Sequence, residues 1–369
     1  MFRVAATVAL ALSGLVGITS QAAAKPSVFS LQNGFDETYC LLNASRVELP
    51  MIFETVIDYT GGNEVASEKA VSDYREYFMA LSSRARVSSA AADIARKEIV
   101  KISKERRLKW ADDWKKNEAN AFFFTTSIAA PVAIEVIFQQ NSFSNSELEI
   151  VIDYLEILNS QLSKTRLVKS NWKTDNKSFD YAVFLYALGV ISNENKYKEK
   201  AIRIYKRGIK ELRNDGSVVK DSGRVGSALH YSNKAVAAMV TLAELALIDD
   251  VNLYSFYHKG FSAGAAKKDL RLAITFLLRA AKDEKLIHSY AKQGEREGST
   301  GFKEYSSTRQ DKRWLKNDMI SWGYYYVRRF PDSDISKQLL ENSSFLASGR
   351  KGYGEIAGAN PRCFVTGKP

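Results

Sequence analysis

Apolar residues recur at steps of three and four along almost the whole chain. That spacing lines them up on one stripe of an α-helix, whereas a half-buried strand would alternate them. It runs through "SDYREYFMALSSRARV" (72–87), "AAADIARKEIVKISKERRLKWADDWKKNEANAFFF" (90–124) and "SELEIVIDYLEILNSQLSKT" (146–165). It continues in "FDYAVFLYALGVIS" (179–192), "YKEKAIRIYKRGIKEL" (197–212), "NKAVAAMVTLAELALI" (233–248) and "LRLAITFLLRAAK" (270–282). A helix that buries one stripe must pack it on another helix. The expected fold is therefore all-α, built as stacked hairpins or as a toroid of hairpins. Six prolines and the lack of any low-complexity tract predict one domain over residues 25–369.

The first residues read differently. Arg3 precedes an apolar run from Val4 to about Thr19, and Ala22-Ala23-Ala24 offers a small-residue cleavage site. This is the pattern of a secretory signal peptide over residues 1–24. The expected location is the periplasm, or the medium. No later segment reads as apolar enough to span a bilayer. The net charge is +11, and export turns the expected partner from nucleic acid to an acidic polysaccharide or an anionic surface. Cys40 and Cys363 are the two cysteines. An oxidising compartment permits a disulfide between them; two buried free thiols are the alternative.

Three polar, glycine-bearing stretches interrupt the helical pattern, at Asp58–Asp73, Arg213–Ser232 and Ala291–Arg313. The first reads as a lid or as plain surface, with Tyr74 and Arg75 beside it able to reach over a groove. The second lies inside a unit of three helices. Asn176 or Ser178 can cap the first helix, "NDG" (214–216) ends the second, and Ser232 or Asn233 can cap the third. Helices one and three of such a series run roughly parallel, so Asn176-Lys177 and His230-Tyr231 fall on one rim. Arg224 lies just before the second pair. Two helix N-termini, an amide, an ammonium and a guanidinium make a site for a carboxylate. The paired carboxylates of a typical glycosidase are missing from this set. Tyr231 and His230 are the best-placed titratable groups, and cations close to the Tyr231 phenol favour its phenolate. The arrangement suits β-elimination on a uronic-acid polymer: the sugar carboxylate is neutralised, the C5 proton is taken, and the leaving C4 oxygen is protonated.

These residues resemble the alginate (mannuronate) lyases with an α/α-toroid fold. "DNKSFD" (175–180) sits on that family's "NNHSYW"-like motif, and "RVGSALHYSNKA" (224–235) on its "RxxxALxYxNxA" context. "NDMISWGYYYVRRFP" (317–331) resembles its late aromatic helix. The resemblance covers about Asn171 to Leu247 well and the rest weakly. It implies an incomplete barrel of helical hairpins and a lyase that needs no metal or other cofactor. In it Asn176 neutralises the substrate carboxylate with Arg224 assisting, and Tyr231 is the catalytic acid and also a candidate base. The departures are Lys177, where the family has histidine, and Asp180, where it has tryptophan. Lysine is charged at neutral pH and neutralises a carboxylate well, but makes a poorer base. His230 is a candidate stand-in beside Tyr231. The rival readings are a non-catalytic exopolysaccharide-binding protein on the same scaffold and a hydrolase with two facing carboxylates.

Aromatic residues at helical spacing are usually core. Of Trp110, Trp114, Trp314, Trp322 and Tyr324–Tyr326, the two expected to line a sugar groove are Trp322 and Tyr325. His258 and His288 read as surface or packing residues. No His/Cys/Asp cluster has metal-ligand spacing. The expected partner is an acidic polysaccharide, with no nucleic acid and no membrane span, bound by a monomer.

Overall fold

The computed structural model of the protein describes residues 26–31, 34–41, 56–57, 64–110, 114–169, 174–260, 266–298, 320–342 and 360–364. Its helices are α1 (Glu37–Cys40), α2 (Glu64–Ala85), α3 (Ser89–Lys104), α4 (Glu118–Gln139), α5 (Asn145–Ser163), α6 (Arg166–Lys169) and α7 (Asn176–Ile191). They continue as α8 (Asn195–Glu211), α9 (Ala228–Ala246), α10 (Leu270–Lys282), α11 (Lys285–Arg296), α12 (Gly323–Arg329) and α13 (Asp334–Leu340). Two short pairs of strands accompany them: β1 (Val56–Ile57) runs parallel to β2 (Lys109–Trp110), and β3 (Tyr257–Lys259) antiparallel to β4 (Lys267–Asp269).

Burial separates the helices into two layers. Thirteen of the sixteen residues of α7 and seventeen of the nineteen of α9 are buried, so these helices are enclosed on every side. In α8 only Ala201, Tyr205, Gly208 and Ile209 are, which is one stripe of an otherwise polar helix. The inner row is α2, α4, α7 and α9, each touching the next, and α3, α5, α8 and α10 lie outside them as return strokes. The result is an incomplete α/α toroid. Close approach of the two layers has a local cause at Gly208, where a Cβ would stand 2.3 Å from the buried ring of Phe179.

The ends of the described chain meet. Cys40 and Cys363 form a disulfide across 323 positions. Buried Glu244 of α9 accepts from Arg329 Nε at 3.0 Å and Nη2 at 2.9 Å, and from the Val28 N–H at 3.3 Å. One buried carboxylate thus ties both terminal segments to an inner helix, and its hydrogen bonds offset the cost of burying the charge.

Several expectations change. The polar stretch 58–73 is helical from Glu64 onward, as its Glu and Ala content favours; positions 58–63 lie outside the described residues. The basic run 96–110 does not stay helical: α3 stops at Lys104, and Arg106 and Leu108 take left-handed backbone with φ of 48° and 65°. The segment Trp114–Ser142 is long and apolar enough to cross a membrane, contrary to the expectation, but 83% of its most apolar window is buried inside the fold, as in a core helix.

The aromatic expectation also fails. Trp322 is buried and donates its indole N–H to Asn233 Oδ1 at 2.8 Å. Tyr325 is fully buried, edge-on to Phe29 and Phe364. Their spacing belongs to the core, which holds the C-terminal helix against α9. Tyr74 is buried too, donating to Glu98 at 3.3 Å. Arg75 is half-buried on α2 and does not line the cavity described below. Trp314 lies outside the described residues.

Candidate active site

The N-terminus of α7 is capped by Asp175, not by Asn176 or Ser178. Asp175 Oδ1 accepts from the Ser178 N–H at 3.1 Å, and the Ser178 hydroxyl points back to the cap. A carboxylate caps as well as an amide and also faces the positive end of the dipole. The consequence is that the Asn176 carboxamide is released from capping. Asn176 is 1% exposed, and its Oδ1 has no hydrogen-bond partner among the described residues. Its backbone N–H donates to Asp221 Oδ2 at 2.9 Å.

That bond joins α7 to the loop preceding α9. The loop makes two 3-10 turns, Asp221–Gly223 and Val225–Ser227, and α9 begins at Ala228 with Ser227 at its N-cap position, ahead of the expected caps Ser232 or Asn233. Tyr231 therefore lies in the first turn of the helix. The first residue of the second turn, Val225, has φ of 45°. A β-branched residue in left-handed backbone costs about 1–3 kcal/mol, and such strain persists only where the surroundings impose it. It sits beside Arg224, whose guanidinium carbon lies 4.2 Å from the centre of the Tyr231 ring. Arg224 Nε is buried with no hydrogen-bond partner among the described residues. His230 is 7% exposed and meets Tyr231 edge-on at 5.1 Å between ring centres. It supports the ring from behind.

Of these groups, Asp175, Asp221 and Arg224 line a cavity of about 1160 Å³. Its wall is built from the N-terminus of α4 (Asn117–Ala119), that of α7 (Asp175, Lys177), the loop Val219–Arg224, and one face of α11. Three inner-helix N-terminal regions thus converge on it, as the parallel arrangement requires. Lys177, Lys220 and Arg224 stand on one side, with Lys115, Lys116, Arg166 and Arg213 around the rest. Four carboxylates share the wall: Glu118, Asp175, Asp221 and Glu297. Cations prevail, so the cavity favours an anion. Asn176 and Tyr231 do not line it directly.

Asp175 and Asp221 are two carboxylates facing one cavity, the feature a hydrolase would need. Each is engaged by a backbone N–H, however, and Asp221 is 1% exposed. Burial raises the Asp221 pKa well above the usual carboxylate range, and the charge of Asp175 adds to this; Arg224 and Lys177 oppose it. Its place in the structure is to hold the first residue of α7 against the loop. Lys220 is shifted the other way. Burial lowers its pKa to about 8, with Lys177 and Arg224 contributing, while Asp175 and Asp221 act in the opposite sense.

Two further groups shape the loop. Arg213 donates to Ser217 Oγ and to the Val219 carbonyl, each at 3.3 Å, and stacks 4.0 Å over Tyr290, whose hydroxyl donates to Asp215 at 2.8 Å. Gly294 of α11 lies so close to Gly223 that a Cβ on it would stand 1.8 Å from the Gly223 carbonyl oxygen. Neither backbone can give way cheaply. Gly294→Ala is expected to lower stability by about 1–3 kcal/mol and, by pushing the loop that carries Arg224, to lower kcat/KM more than Lys292→Ala, at an exposed position off the cavity wall, does. Thermal unfolding and steady-state kinetics on the two variants check this.

Of the expected residues, the structure brings Asn176, Lys177, Arg224, Tyr231 and His230 together, and leaves Tyr74, Arg75, Trp322 and Tyr325 apart from them. Asp221, Lys220, Arg213, Tyr290 and Gly294 were not singled out from sequence. The "KDSGR" run (220–224) held a signal for the first two, since it flanks Arg224.

The fold and site define a helical-toroid protein with a cationic cleft. The profile of the alginate lyase family matches residues 62–287. The chain belongs to the alginate lyase family, and is thus a polysaccharide lyase. Among solved structures, it is similar to the crystal structure of alginate lyase A1-III from Sphingomonas species A1, at 18% identity and a TM-score of 0.69 over 93% of each chain. It is also similar to a tyrosine-to-phenylalanine variant of A1-III complexed with a tetrasaccharide, at 17% identity and a TM-score of 0.68 over 94% of this chain and 98% of that one. A histidine-to-alanine variant of A1-III, likewise complexed with a tetrasaccharide, aligns at 17% identity and a TM-score of 0.66 over 94% of this chain and 97% of that one. At this identity these likenesses show the fold. No curated protein matches the chain by sequence.

Proposed function

We propose that this lyase is exported to the periplasm and cleaves a β-1,4-linked uronic-acid polymer, a mannuronan or glucuronan-like chain, by β-elimination. The observation that carries the reading is the buried Arg224 Nε, which has no hydrogen-bond partner among the described residues and whose guanidinium lies over the Tyr231 ring, set beside the α7 N-terminus where Asp221 holds the Asn176 backbone N–H. A sugar carboxylate bound there receives the Asn176 amide, the Lys177 ammonium and the Arg224 guanidinium. Neutralising it acidifies the C5 proton, and the negative charge that builds up on the carboxylate meets donors already in place. Tyr231 then works as the proton carrier. As the phenolate it takes the C5 proton, and the phenol so formed returns a proton to the departing C4 oxygen, with the Arg224 guanidinium 4.2 Å over the ring. Lys177 takes the carboxylate-binding part of the family's histidine and leaves the proton transfers to Tyr231. A1-III variants hold a tetrasaccharide, which fits a cleft of this length and charge.

Incubation with a panel of uronans, followed by ultraviolet absorbance of unsaturated uronate, tests the reading. Absorbance rises on at least one polymer if it is right. Salt-sensitive binding with no rise on any polymer would leave a non-catalytic binding protein. Lys220 adds a pH signature. With its pKa near 8, it is charged below that pH and neutral above it. Its attraction for the substrate carboxylate is therefore lost as pH rises from 7 to 9, and kcat/KM, which reports the free enzyme, falls over that range. Lys220→Arg keeps its charge throughout and is expected to flatten this limb in a pH–rate profile.

A further inference from the structure

Outside the main cavity, α8 carries cations at Lys196, Lys200, Arg203 and Arg207, then Lys210. These positions, i, i+4, i+7, i+11 and i+14, fall on one face of the helix and extend over about 21 Å at 1.5 Å per residue. The face is not a plain solvated surface. Lys200, Arg203 and Arg207 form one wall of a second concavity of about 340 Å³, whose opposite wall includes Phe122, Leu167 and Tyr181. No acidic residue lines it among the described residues. The nearby carboxylates stand off from these cations: Glu199 is 3.5 Å from Arg203, and Glu211, which accepts from the Thr174 N–H at 2.6 Å, is 3.9 Å from Arg207. Lys200 is half-buried, and among the described residues its ammonium meets Tyr181 alone, the hydroxyl at 3.2 Å and the ring centre at 5.2 Å; that hydroxyl itself donates to Asn159. An ammonium stripped of part of its hydration and given no carboxylate is a group that gains by meeting an anion.

The two concavities share a wall. Leu167 lines both, with Arg166 on the main-cavity side and Val168 on the other. A polymer leaving the main cavity over α6 reaches Lys200, Arg203 and Arg207 next. We propose that this second concavity is an outlying subsite for the carboxylates of the same uronan chain, holding the stretch of polymer beyond the sugars being cleaved. The apolar patch of Phe122 and Leu167 takes the faces of the sugar rings, and the cations take their carboxylates. The inference rests on the uronan reading above for its ligand, while its residues are separate from those assigned to the chemistry.

The test uses the full-length enzyme and the variant K200Q/R203Q/R207Q, with R203Q/R207Q as a milder partner confined to exposed head groups. Substrates are a long uronan and a tetrasaccharide of the same sugar. The triple variant is expected to raise KM on the long polymer about tenfold, since each exposed charge pair is worth a factor of about two. It leaves kcat/KM on the tetrasaccharide unchanged and makes the polymer KM less sensitive to sodium chloride. Equal losses on both substrates, or none on either, would overturn the subsite. Equilibrium binding of the long polymer to the same variants built on Tyr231→Phe keeps the two readings apart. Weakened polymer binding in the Tyr231→Phe background, with no unsaturated product from the Tyr231-intact enzyme on any uronan, upholds the subsite and removes the lyase chemistry. Unchanged binding alongside normal turnover does the reverse.

Discussion

Tyr231→Phe is expected to lower kcat by about 100- to 10,000-fold, the range a positioned acid or base supplies. The substitution removes one hydroxyl and keeps the ring, so the contacts of that ring with Arg224 at 4.2 Å and with His230 at 5.1 Å survive. Thermal unfolding should therefore be unchanged and polymer affinity retained. Loss of turnover with retained binding identifies the hydroxyl as a proton carrier. A variant that turns over at the wild-type rate would move the proton chemistry elsewhere, and Lys220 would be the next residue to test.

Arg224→Ala is the second large effect. The guanidinium has a buried Nε without a hydrogen-bond partner among the described residues and lies over Tyr231. It is placed to act twice, on the substrate carboxylate and on the phenolate. Removing one preorganised donor from a site where charge develops costs about 100- to 1,000-fold in kcat. Arg224→Lys is expected to recover only part of this, because an ammonium restores the charge without the planar fork that meets both carboxylate oxygens. Kinetics on a uronan substrate, with KM and kcat separated, check both variants. An equal loss from Arg224→Ala and from Arg224→Lys would mean that geometry, not charge, dominates.

The helical architecture was legible because the inner and outer helices carry different patterns. The one-sided stripe of α8 and the nearly all-apolar α7 follow directly from residues 176–212. The meeting of Asn176 with Tyr231 was legible as well, since two parallel inner helices must start on the same rim. The cap was not. Asp175, Asn176 and Ser178 are all good N-cap residues, and only the observed bond from the Ser178 N–H selects Asp175. Choosing Asp175 is what frees Asn176, so a one-residue ambiguity decided the character of the site.

The aromatic residues misled for a related reason. Trp322 and Tyr325 have the spacing of a helix face, and nothing local says whether that face meets sugar or core. The deciding contacts are distant: Asn233 for Trp322, Phe29 and Phe364 for Tyr325. Gly223 and Gly294 were invisible in the same way. Their backbones touch across more than two helices, and no spacing within either segment announces it. Lys220 and Asp221 are a different case. They adjoin Arg224, but their shifted pKa values arise from burial, which depends on the loop folding under α11.

The central claim is that a chain bound at Asn176, Arg224 and Tyr231 is cut by elimination. Cleavage of a uronan in heavy-oxygen water, with mass analysis of the products, tests it most directly. Elimination takes no oxygen from solvent and leaves an unsaturated sugar at each new non-reducing end, so the predicted products contain no heavy oxygen from the cleavage step. One heavy oxygen per cut, with saturated sugars at both new ends, would show that water attacks the bond and would contradict the account.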